Sequence, residues 1–173
     1  MRQAIRIIDL ISEYTGRIAA WLTTILVWLV VVYVVMRYLF AEPLIWLQEL
    51  HWHLFAMIFL LGAAYTLKSD AHVRVDVFYA RFSSKRKSWV NLIGILMFLI
   101  PFCLIVITRS WDMVESAWQI REKSADPGGL PARYLIKAAL PVGFSLLLIQ
   151  GIGEALRSVL TLMGKEPQTT IAS

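Results

Sequence analysis

Between Arg17 and Arg37 the chain reads IAAWLTTILVWLVVVYVVM, residues 18–36, with no Asp, Glu, Lys or Arg. About 20 apolar residues in a helix cross the roughly 30 Å hydrocarbon core of a bilayer, so this run is long enough to span one. It is too long for the apolar region of a signal peptide, and it ends in Met36-Arg37-Tyr38 rather than at small residues. It therefore reads as a retained anchor.

Working outward, three more runs lie between charged residues: Leu50–Leu67, Ser88–Thr108 and Ala138–Gly153. The last reaches spanning length if Tyr134–Ile136 are included and the Lys137 ammonium snorkels outward. The expectation is an all-α integral membrane protein with four transmembrane helices, over about 18–38, 47–67, 88–108 and 134–156. They form a membrane domain over 18–162, between an amphipathic leader at 1–17 and a polar tail at 163–173. Composition agrees. Of 173 residues, 58% are hydrophobic and 17% charged, against about 45–50% and 25% in soluble domains. An ordinary soluble enzyme and a disordered chain are excluded. The single cysteine, Cys103, excludes a disulfide-stapled domain.

The connections carry their own pattern. Ile7, Ile11, Tyr14 and Ile18 share a helical face, which predicts that the leader lies in the headgroup layer. After Asp70, residues Val75, Phe78, Tyr79 and Phe82 repeat at helical spacing, with Arg74 and Arg81 on another face and Lys85-Arg86-Lys87 following. A second interfacial helix is expected there. With both termini cytoplasmic, 11 Lys and Arg lie inside and 6 outside, the direction the positive-inside rule favours. Trp21, Trp46, Trp52 and Trp89 fall near span ends, while Trp28 is expected to pack at mid-membrane. Trp111, Val114 and Trp118 share a face, so the third span should continue as a helix beyond the bilayer. It should stop by the turn-forming Asp126-Pro-Gly-Gly-Leu-Pro131. Pro101 and Pro141 are candidate kinks. Gly62, Ala63, Ala64, Thr66, Gly143, Gly151 and Gly153 are small enough to let helices approach closely.

No arrangement for chemistry stands out. His51 and His53, two apart on one helix, point in nearly opposite directions, and His72 lies in the second connection, so a haem or zinc site is disfavoured. The middle thirds of the spans hold no ionisable carboxylate or cation, where an ion-coupled carrier would show polar groups. Gln150, the large polar side chain inside the fourth span, reads as an interhelical hydrogen-bonding residue. Arg37 and Glu49, at the ends of the first hairpin, are a candidate ion pair. These readings predict no catalytic, cofactor or metal residue, no nucleic-acid partner, and a protein that is not an enzyme.

Several stretches resemble a known family. Trp46-Leu-Gln-Glu49-Leu, Gly62-Ala-Ala-Tyr65 and Lys68-Ser-Asp70-Ala-His72-Val-Arg74-Val-Asp76-Val are similar to the small membrane subunit of tripartite ATP-independent periplasmic (TRAP) transporters, the DctQ-like family. The likeness covers roughly residues 17–160. Ser124–Pro131 with Leu147–Gly151 resembles a subgroup linked to mannitol or chloroaromatic-type solutes. The resemblance implies a multi-pass bacterial inner-membrane protein that braces a large DctM-like permease subunit. A periplasmic DctP-like binding protein would deliver an organic acid or related solute for sodium-coupled uptake. It also implies that Trp46, Glu49, Gly62, Trp111 and Trp118 are candidate contacts to the other subunits, and that Asp70, His72, Arg74 and Asp76 form the family's turn. Membrane lipids complete the expected partners. The competing reading is a haem-bearing or scaffold membrane anchor of a respiratory complex.

Overall fold

The computed structural model describes residues 1–40, 44–69 and 82–164. They form four helices: α1 (Arg2–Leu39), α2 (Ile45–Lys68), α3 (Ser84–Gln119) and α4 (Arg133–Leu162). Each is long and apolar enough to cross a membrane, and no strand occurs among the described residues. Helix α4 packs against α1, α2 and α3, and α1 packs along α2. Successive helices reverse direction, so the bundle has two polar ends. The loop end holds the close of α1, the start of α2 and the 120–132 connection. The terminal end holds the start of α1, the close of α2, the start of α3 and the close of α4.

The residues inside are mostly small. Ser12, Ala19, Ala64, Cys103, Ser110, Ala117, Gly143, Gly151 and Ser158 are buried, and on α1 the buried residues Ile5, Ser12 and Ala19 recur every seven positions. A seven-residue repeat keeps one seam of a helix facing its neighbour, and small side chains on that seam let backbones approach where lipid offers no hydrophobic drive for association. At Gly16 the approach is close: a methyl group there would lie 2.5 Å from a ring carbon of Tyr65. Gly62 differs, since no atom lies within 4 Å of where its side chain would begin. It does not serve helix packing among the described residues.

Large apolar side chains point outward, where lipid rather than water is their solvent. Trp21, Phe55, Phe59 and Phe98 are exposed, and so is Trp28, at 68%. Trp28, expected at mid-membrane, therefore sits on the outer surface of this bundle.

The leader is not a separate helix. Arg2–Leu39 is one continuous helix of 38 residues, about 57 Å long at 1.5 Å per residue. Its first turns stand in line with the span, with Ile5 and Ser12 turned inward while Ile7, Ile11 and Tyr14 face out. Ile8 packs against Gly153 of α4, which anchors this segment to the bundle.

Helix α3 also differs from a plain span. It runs on to Gln119 and widens into a π turn over Ile95–Leu99, where the Ile100 N–H donates to the Ile95 carbonyl. Pro101 follows at once. Having no N–H, it cannot complete the α ladder with the preceding turn, and a π turn is a common way to absorb such a fault. The interfacial helix expected after Asp70 falls within 70–81, and with Asp70, His72, Arg74 and Asp76 it lies outside the described residues.

Candidate functional site: two polar ends of an uncharged bundle

At the loop end, Glu49 is the organising residue. It lies in the first turns of α2 and is 9% exposed. Its carboxylate accepts a hydrogen bond from the Leu130 N–H at 2.6 Å and another from the Ser124 hydroxyl. The Arg133 guanidinium lies 3.9 Å away. Charge-assisted bonds of this kind are the strong ones, and here they fasten the 120–132 connection to α2. The connection itself is closed by the Ser124 N–H donating to the Leu130 carbonyl at 3.1 Å and the Arg133 N–H to the Glu122 carbonyl at 3.0 Å. Gly128 takes a left-handed φ of +80°, which suits glycine at this turn. Gly129 must be small for a different reason: a methyl there would lie 2.5 Å from the Ser124 hydroxyl oxygen and 2.8 Å from a Glu49 oxygen.

Other contacts seal this end. Lys137 pairs with Glu122, and Trp118 meets the Tyr134 ring edge-on with centroids 4.7 Å apart. A cleft of about 420 Å³ opens beside the clamp, lined by Gln48, Glu49, Trp52, His53, Asp126 and Arg133 among others. Trp46, Trp111 and Trp118 are exposed.

The Arg37–Glu49 pair is replaced. Arg37 donates to the Tyr33 hydroxyl at 3.2 Å and lies 6.0 Å from the centroids of Tyr33 and Tyr38. Glu49 faces the opposite way, toward α4, and its oxygens are taken by the connection. Short loops bring helix ends together but do not set which faces meet. The helix phase does that.

At the terminal end the polar groups join helices directly. Gln150, fully buried, accepts from the Ser12 hydroxyl at 2.7 Å and donates to Glu154 at 3.2 Å. Arg157 donates to Glu154 at 2.5 Å and to Asp9. Beside them Lys68 donates to Glu13 at 3.1 Å, and Arg17 donates to Glu13 at 2.6 Å. Glu13 precedes the uncharged run of α1, and the hydrogen bonds from Lys68 and then Arg17 hold its carboxyl below the usual 4.5. Sequence reasoning singled out Gln150 but missed Ser12, Asp9 and Arg157. Their polar character at inward positions of helical repeats was the available signal.

His51 and His53 do not converge. His51 meets Tyr33 edge-on at 5.3 Å, while His53 lines the loop-end cleft. Among the described residues, no group of three or more His, Cys, Asp or Glu is placed to hold a metal ion.

Comparison with known proteins adds a family. Residues 26–161 match the DctQ component of the tripartite ATP-independent periplasmic transporters. The curated "C4-dicarboxylate TRAP transporter small permease protein DctQ" of Vibrio cholerae serotype O1 is 27% identical over 134 residues, covering 66% of this chain. The chain spans about 57% of that relative's length.

Proposed function

Since the chain belongs to the DctQ component family of TRAP transporters and is a multi-pass protein of the bacterial inner membrane, we propose that it acts as a non-catalytic brace. It holds a large DctM-like permease subunit while a DctP-like periplasmic binding protein delivers the solute. The transport is sodium-coupled uptake of an organic acid or related solute, and recognition of that solute belongs to the other subunits. Both termini face the cytoplasm. The loop end faces the periplasm, and Trp46, Glu49, Trp111 and Trp118 lie toward the docking region.

One observation carries this reading. The charged groups gather at the two ends, where they tie helix to helix and loop to helix, leaving mid-depth to packing side chains. A chain that moved ions itself would need polar coordination there. The alternative of a haem-bearing anchor has no support in the family match and is not carried forward.

Reconstitution tests the brace. Vesicles holding the large subunit and supplied with binding protein should take up solute only when this chain is present, and fall to the level of protein-free vesicles without it. Full sodium-driven uptake in its absence removes the proposal. Glu49→Ala, which frees the connection, should lower binding-protein-dependent uptake by roughly fivefold or more with the complex still assembled.

A further inference from the structure

Near the terminal end, α3 forms one wall of a lateral groove of about 560 Å³, lined by Val90, Gly94, Ile95, Phe98, Leu99 and Phe102. Leu67 of α2 and Leu147 of α4 contribute to the other wall, which is also apolar. The polar side chains lining it are Asn91 and Glu154, and Glu154 is already bonded to Arg157 and Gln150. One turn before the groove's polar end stand Lys85 and Arg86, both exposed, followed by Lys87. Trp89, 55% exposed, sits between the cations and the apolar walls, at the level an indole prefers between headgroups and hydrocarbon.

We infer that this groove holds one acyl chain of an anionic phospholipid, with its phosphate over Lys85 and Arg86. Length supports that occupant. From Val90 to Phe102 the groove runs about 18 Å along the helix, close to the roughly 15 Å hydrocarbon depth of one leaflet. Charge decides the headgroup, because juxtamembrane Lys and Arg attract anionic lipids and leave zwitterionic ones largely undistinguished. The groove is open at Gly94, where no atom of the described residues lies within 4 Å of a would-be side chain, so a glycine there leaves room that a larger residue would take.

The full-length purified chain, stripped of lipid and titrated with dioleoyl phosphatidylglycerol or dioleoyl phosphatidylcholine, tests the site by native mass spectrometry. One phosphatidylglycerol should be retained per chain in preference to phosphatidylcholine. Lys85→Ala with Arg86→Ala should weaken that binding by about tenfold or more while leaving phosphatidylcholine unchanged. Gly94→Leu should fill the groove and reduce binding of both lipids. It replaces glycine with a better helix former, so unchanged helicity by circular dichroism separates loss of the site from loss of the fold. Equal retention of the two lipids by the wild-type chain, or full retention by both variants, would overturn the inference. So would release of the lipid when the large subunit binds, since that would assign the groove to protein.

Discussion

At the loop end, Glu49 reaches from a helix to the backbone and hydroxyl groups of a connection. At the terminal end, Asp9 and Glu154 converge on a single arginine, Arg157, from two different helices. The first arrangement gives shape to thirteen residues of chain that have little apolar area to bury. The second holds α1 against α4 where α1 has few inward-facing side chains. A carboxylate bonded to backbone N–H groups fixes a conformation, whereas carboxylates sharing a cation fix a separation between helices. The difference predicts which perturbations stay local and which spread.

The largest effect should come from Arg157→Ala. It leaves Asp9 and Glu154 facing each other without their cation. Removing one partner of a fully buried pair costs about 3–5 kcal/mol, and the partial exposure of Arg157 and Asp9, 27% and 22% at their side chains, lowers this toward about 2 kcal/mol. A fall in the melting temperature of the detergent-solubilised chain, with α1 losing exchange protection along its first turns, is the expected result. If only the last turn of α4 loosened, the two ends would not differ in kind.

A smaller and confined effect is expected of Gly129→Ala. Its methyl would displace Ser124 and Glu49, and hydrogen exchange at the Leu130 amide should speed up by about tenfold. The terminal end should keep its protection. Spread of the effect to α1 would break the contrast from the other side.

The smallest effect is one of pH. The Glu13 carboxyl is held below 4.5 by Lys68 and Arg17, so its contribution is present above that value and is lost as pH falls through the lowered one. Exchange at the close of α2 should rise slightly below pH 4.5 and stay flat above it. Because Glu13 is partly exposed, 37% at its side chain, the change should be much smaller than that in Arg157→Ala and should shrink in high salt.

The four spans were legible because uninterrupted apolar runs between charged residues have a direct physical meaning in lipid. The continuous α1 was harder to read. Ile7, Ile11 and Tyr14 form a face that suits a headgroup layer, but the same helix carries Ile5 and Ser12 on its inward side, and tertiary packing on α4 prevailed. The Glu49 clamp was half legible. The acidic residue opening α2 stood out, yet its partners lie 75 and 81 positions away, and proximity in sequence suggested Arg37 instead. The Asp9–Arg157 bridge, 148 positions apart, showed locally only as polar residues at inward helical positions, with nothing in the sequence to pair them.

The π turn in α3 has a consequence for how that helix is counted. Buried residues leading into it, Ser88 and the turn's first residue Ile95, are seven apart, and those after it, Cys103, Ser110 and Ala117, keep the same interval. Across the turn, from Ile95 to Cys103, the interval is eight. One residue has been inserted into the rhythm and taken up as a bulge, so the halves of α3 stay in phase with their neighbours. A helical wheel turned at a constant 100° per residue would rotate one half away from the seam by about that angle. Closing the turn to an ordinary α ladder at fixed length would introduce that same rotation, and only the loss of one residue nearby would cancel it.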